Sequence, residues 1–172
     1  LVAQLTDLLN VGASDLPQRV ADMVTRLKDA ERELDKIKKA SLADNLDDML
    51  GQPVMFGAGQ GWLFEAPAGT GGGDLRELVQ RANKNQRPDA PAVWLGASTD
   101  AGKVALIAMA NKAAQSAGVT AKDLLAAALP LVDGRGGGKA DVAQGGGTNP
   151  EGLAGAFAAA QEYLGERWGA AQ

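Results

Sequence analysis

The chain of 172 residues carries 17 basic and 21 acidic side chains, a net charge of -4 and 45% hydrophobic residues, enough for one globular domain with an appendage. It has no cysteine and no histidine, which removes disulfides, thiolate and imidazole metal sites, and every Cys-His or Ser-His-Asp nucleophile. No apolar run is long enough to span a membrane, and the first residues lack a charged segment followed by an apolar core, so a soluble, cytoplasmic protein is expected. The sequence starts at Leu1 inside a helical pattern rather than at a methionine, which suggests a piece of something longer, with function belonging in part to the parent.

Leu1, Leu5, Leu8 and Leu9 share one face of a short predicted helix. Leu16, Val20, Met23, Leu27, Ala30, Leu34 and Ile37 then alternate spacings of four and three with charged residues between them, a heptad seam. Asp15 is expected to cap this helix, Pro17 fits its first turn, and Gln18 stands at capping-box spacing. The pattern drifts through Leu42, Leu46, Met49 and Leu50 and stops at Gly51-Gln52-Pro53. A helical hairpin, with the first helix laid on the second, is the economical arrangement; the same seam would also serve a dimer. Asp47-Asp48 reads as a solvated helix face rather than a metal site.

Past Pro53 the pattern changes to short apolar runs, Val54–Phe56, Trp62–Phe64, Ala92–Leu95 and Val104–Ile107, which read as buried strands. Leu75, Leu78, Val79 and Ala82 supply a crossover helix between the second and third, left through Asn85 to Pro88, and Ser98–Lys103 is expected to turn the last two into a hairpin. Thr120 to Asp123 is expected to cap a helix carrying Leu124, Leu125, Ala128 and Leu129, ended or kinked at Pro130. A final helix from about Thr148 to Tyr163, with Thr148 and Glu151 in capping-box spacing, turns Leu153, Phe157, Ala160 and Leu164 to the core. The fold class is α/β or α+β: residues 1–50 as a helical hairpin or coiled-coil stalk, residues 51–172 as a globular sheet domain with flanking helices. Trp62 and Trp94 read as core, while Trp168 is either a local anchor or an accident of position.

The most informative stretch is Asp133 to Gly147, D-G-R-G-G-G-K-A-D-V-A-Q-G-G-G, two glycine triplets around a polar segment. Read as a loop, it calls for left-handed dihedrals or close approach of another backbone or a ligand. With Arg135 and Lys139 inside it and a helix expected directly after it, free amides and two cations would form a cradle for phosphate. From Lys103 to Lys139 the cations Lys103, Lys112, Lys122, Arg135 and Lys139 outnumber Asp123 and Asp133. A P-loop is excluded, because Asp133 stands where its first glycine belongs and Ala140 where its hydroxyl belongs. A dinucleotide fingerprint at Gly57-Ala58-Gly59 fails at Trp62.

The run from Gly134 to Gly147, followed by T-N-P-E-G-L, resembles the glycine-rich signature of the C-terminal domain of bacterial alanyl-tRNA synthetases, with Lys139, Ala140, Asp141, Val142, Ala143 and Gln144 in the family's order. Thr120-Ala121-Lys122-Asp123-Leu124 and the preceding heptad helix extend the resemblance over nearly the whole chain. It implies a DHHA1-type fold and a non-catalytic module that holds the tRNA elbow and helps couple aminoacylation with editing. The implied partners are tRNA and the remaining domains of the same synthetase. No cofactor is implied for this module; ATP, magnesium and zinc would serve the parent's other domains. Candidate RNA contacts are Arg135, Gly136, Gly137, Gly138, Lys139 and Gln144, with Lys103, Lys112 and Arg87 added for charge and proximity to loops. Self-association in such proteins makes Leu16, Val20, Met23, Leu27, Leu34 and Ile37 candidate dimer contacts. The related phosphoesterase domains carry histidine in this motif and this chain has none, so phosphodiester hydrolysis by it is not expected. A dimerisation arm with a purely structural glycine segment, or an accessory domain of a DHH-type phosphoesterase, are the other readings.

Overall fold

A computed structural model describes residues 2–85 and 89–169, which leaves Leu1 and the exit from the crossover helix at Arg87 and Pro88 outside the described residues. The chain divides into two compact units, Leu1–Ala43 and Asp44–Gln172. In the first, helix α1 (Val2–Leu9) precedes helix α2 (Leu16–Asp44). α2 begins directly after Asp15, whose carbonyl accepts from the Arg19 amide at 2.9 Å. Gln18 does not complete a capping box; its amide donates to Asp22 Oδ1 one turn further on, at 3.0 Å. Neither helix contains a buried residue, and Leu8, Leu27 and Leu34 are 83%, 60% and 56% exposed. The packed hairpin expected from the leucine spacing is therefore not formed. α2 is a stalk with its heptad seam open.

The second unit begins earlier than the boundary expected at residue 50. α2 ends at Asp44 and a separate short helix, α3 (Leu46–Leu50), follows, burying Leu46 and Leu50 against the globular unit. Asp47 and Asp48 lie exposed in its first turn. Strands β1 (Val54–Met55), β2 (Gln60–Glu65), β3 (Ala92–Asp100), β4 (Lys103–Ala110), β5 (Arg135–Gly138) and β6 (Val142–Gly147) form one sheet in the order β1-β2-β3-β4-β6-β5. The helix α4 (Gly72–Asn85) crosses from β2 to its parallel neighbour β3; the other pairs are antiparallel. β3 turns into β4 through Ala101 and Gly102, both at positive φ (47° and 75°), the geometry that matches the twist of a tight hairpin.

Helices α5 (Lys112–Ser116), α6 (Ala121–Ala128) and α7 (Leu153–Trp168) are buried with one face of the sheet, where Leu95, Leu106, Leu124, Leu125 and Leu164 lose essentially all solvent contact. Thr120 caps α6 as expected, its Oγ1 accepting from the Asp123 amide at 3.1 Å. On the other face, Leu75, Leu78, Val79 and Ala82 of α4 are buried against β3 and β4. There Trp62 and Trp94, paired across β2 and β3, stack with centroids 5.3 Å apart and planes 2° from parallel. Gly96 is obligatory beneath α4, since a Cβ there would come within 2.7 Å of Val79 Cγ2.

Trp168 is the anchor of the two alternatives. Its ring lies over Gly59, meets Phe56 edge-on at 6.3 Å, and donates its indole N–H to the Ala117 carbonyl at 3.3 Å, while its own carbonyl accepts from Ala58. Trp168→Ala is expected to lower unfolding free energy in urea by about 3–5 kcal/mol through loss of this packing. Gly165→Ala, on the same helix with open space at its Cβ, is expected to raise it by about 0.5–1 kcal/mol.

Candidate functional site

The glycine segment is a β-hairpin, not a loop. β5 and β6 pair antiparallel with Gly136 opposite Gly145 and Gly137 opposite Gln144, and β6 continues the ladder onto β4 over Val104–Met109. None of the glycines from Gly134 to Gly147 has positive φ; the left-handed residue is Asp133, just before the hairpin, at 51°. Close approach is what these positions require, since a Cβ on Gly136 would collide with Gly145 Cα and one on Gly147 with the Val132 carbonyl. The following helix is not a cradle either. Thr148 and Asn149 both donate their amides to Val132 O, at 3.0 and 3.1 Å, a 3-10 turn spans Pro150–Gly152, and α7 starts only at Leu153. The Thr148–Glu151 capping box is absent, and Gly152 packs against the Leu131 carbonyl. Pairing won over looping because strands without side chains can lie close and satisfy one another's backbone groups.

α4 covers β3 and β4 but stops short of β6 and β5, where Arg135, Gly137, Gln144 and Gly146 are exposed. The result is a trough floored by the hairpin and walled by Gly72, Gly73 and Arg76 at the start of α4. It consists of two adjoining hollows of about 440 and 450 Å³. Arg135 lines the first, Lys139 and Asp141 the second, and Arg76 and Gln144 line both. Arg76 Nη1 approaches Gln144 Oε1 at 3.5 Å, the long limit of a hydrogen bond. Arg76, Arg135 and Lys139 face the trough and form no ion pair among the described residues, while Asp141 is the acidic side chain that lines it. Positive charge on a walled groove concentrates its field on whatever enters, which suits an anion.

Of the residues expected from sequence, Arg135, Gly136, Gly137, Gly138, Lys139 and Gln144 line the trough together. Lys103, at the β3–β4 turn, and Lys112, exposed on α5, do not line it, and Arg87 lies outside the described residues. Arg76, Gly72 and Gly73 were missed by sequence reasoning. The available signal was a third glycine triplet, Gly71-Gly72-Gly73, opening directly into a helix with an arginine on its exposed side. Tyr163 takes no part: it packs on the opposite face, and burial first, then the Asp123 carboxylate, raise its phenol above the ordinary value. No helix among the described residues is long and apolar enough to cross a membrane.

A six-stranded mixed sheet, a crossover helix over the middle of one face and a glycine hairpin at the uncovered edge define the class of domain. Residues 59–166 match the DHHA1 domain, and the chain belongs to that family. More particularly, it is 38% identical over 149 residues to an alanine–tRNA ligase of a Nocardioides species, covering 87% of this chain and 16% of that protein. It is 36% identical over 166 residues to the alanine–tRNA ligase of Saccharopolyspora erythraea, covering 95% and 18%. The chain thus spans less than a fifth of the length of the curated relatives it matches. Its fold superposes on the C-Ala domain of Aquifex aeolicus alanyl-tRNA synthetase with a TM-score of 0.56 and 25% identity, over 69% of this chain and 99% of that one.

Two neighbouring glycines separate fold from site. Gly136→Ala is expected to cost about 1–3 kcal/mol in thermal or urea unfolding, because the hairpin must open to admit the methyl group. Gly137→Ala, whose Cβ meets open space in the trough, is expected to stay within about 0.5 kcal/mol of the parent.

Proposed function

We propose that this chain is the non-catalytic C-terminal module of a cytoplasmic alanine–tRNA ligase and that it holds the elbow of tRNA, helping to couple aminoacylation with editing of mischarged tRNA. The observation that carries the reading is the trough: three cations, Arg76, Arg135 and Lys139, against the single carboxylate of Asp141 on a glycine-rich floor, in a DHHA1 domain whose curated relatives are alanine–tRNA ligases. Arg135 and Lys139 contact RNA phosphates, outward-facing backbone groups of the edge strand β5 and the Gln144 side chain add hydrogen bonds, and the bare floor admits close approach of the RNA. Lys103, Lys112 and Arg87 widen the electrostatic footprint. Catalysis, with ATP, magnesium and zinc, belongs to the other domains of the synthetase. A net charge of -4 is compatible with this role, because an elbow clamp relies on shape with few phosphate contacts.

The test is a titration of the 172-residue chain with full-length tRNAs and with an acceptor minihelix at two salt concentrations. Different full-length tRNAs are expected to bind alike and the minihelix not at all. Arg135→Ala with Lys139→Ala should weaken binding and reduce the slope of log affinity against log salt by about two. Unchanged affinity and slope in that double variant would remove the hairpin from the RNA interface.

A second role is favoured by α2, whose Val20, Met23, Leu27, Leu34 and Ile37 stay between 46% and 64% exposed in a regular seam. This seam, with Leu16, pairs with a second copy as a coiled coil. Sedimentation should give a concentration-dependent mass that Leu27→Asp abolishes; a monomer at high concentration would count against the dimer.

A further inference from the structure

Arg76 lies far in sequence from the glycine hairpin, yet it occupies the middle of the trough, lining both hollows between Arg135 on one side and Lys139 on the other. Its side chain reaches across from α4 to Gln144, which stands on β6 opposite Gly137. One Nη1–H is engaged there at 3.5 Å, a weak contact that leaves the guanidinium's other donors free to take an anion and that a phosphate oxygen would readily replace. Arg135 and Lys139 are four residues apart, roughly 13 Å between Cα atoms along an extended chain, and they line different hollows. Arg76, shared by the two hollows, closes that gap. Resting on the RNA-binding reading above, we propose that Arg76 is the central phosphate-binding residue of the trough and that the ligand is a run of RNA backbone crossing both hollows, with Gln144 positioning the guanidinium between them. A mononucleotide would fill one hollow and meet only one of the outer cations.

The test compares Arg76→Ala, Arg76→Lys and the Arg135→Ala/Lys139→Ala variant in the 172-residue chain, titrated with tRNA and with 5′-AMP at two salt concentrations, with melting curves for each. Because Arg76 is exposed, Arg76→Ala should melt with the parent. Its tRNA affinity should fall about tenfold and its salt slope by about one. Arg76→Lys should keep the slope but recover only part of the affinity, since a point charge cannot reproduce the planar fork. 5′-AMP should bind far more weakly than tRNA. Parental tRNA binding by Arg76→Ala, while Arg135→Ala/Lys139→Ala weakens, would overturn the role of Arg76 and leave the hairpin reading intact. Parental binding by both would remove the trough from the RNA interface, and no tRNA binding by the parent chain even at low salt would overturn the RNA reading itself. Equal affinity for 5′-AMP and tRNA would overturn the continuous-backbone ligand.

Discussion

Strand β6 pairs with β4 on one side and β5 on the other, and through Gly145, Gly146 and Gly147 it does so with almost no side chains to help. That pairing fixes the rest of the globular unit. A strand pair without apolar side chains offers nothing for a helix to cover, so α4 packs on β3 and β4 and ends its coverage there. The opposite side of the hairpin is still supported, because Leu129 and Val132 press against Gly134, Gly145 and Gly147 from below. One face is closed by packing and the other left open by composition. An open, flat floor at a sheet edge would invite another strand; the cations Arg135 and Lys139 oppose that by charge while suiting an anion.

Much of the fold is legible in the sequence where side chains carry the pattern. The four apolar runs mark four of the six strands, Leu75 to Ala82 marks α4, and Thr120 caps α6 as its spacing requires. The pattern fails where backbone, not side chain, decides. β5 and β6 are glycine-rich, and glycine is depleted in strands, so a sequence reading takes them for a loop. The same error moved the start of α7 forward to Thr148, although its first turn is occupied by a 3-10 segment folded on Val132 and Leu131. Leu46 and Leu50 continued the heptad of α2 by spacing, yet they are drawn into the globular core as a separate helix. Leu8 shows the converse, since spacing that suits a hairpin does not create the burial that would hold one.

The site was half legible for a related reason. Residues contiguous in sequence, from Arg135 to Gln144, could be named together because the motif itself groups them. Arg76 is brought to them only by the crossover from β2 to β3, which no local pattern encodes. The mechanism also changed in kind. A phosphate cradle made of helix amides became a trough in which side-chain cations supply the charge and glycine supplies access.

Amide chemical shifts of the isotopically labelled chain, followed by NMR during addition of tRNA, address the central claim most directly. The account predicts that the resonances of Gly137, Gly138, Gln144 and Gly145 move together with those of Gly73 and Arg76, while the amides of Thr148 and Asn149, held by Val132, remain in place. Binding that shifts α7 or α2 and leaves the hairpin resonances unmoved would contradict it.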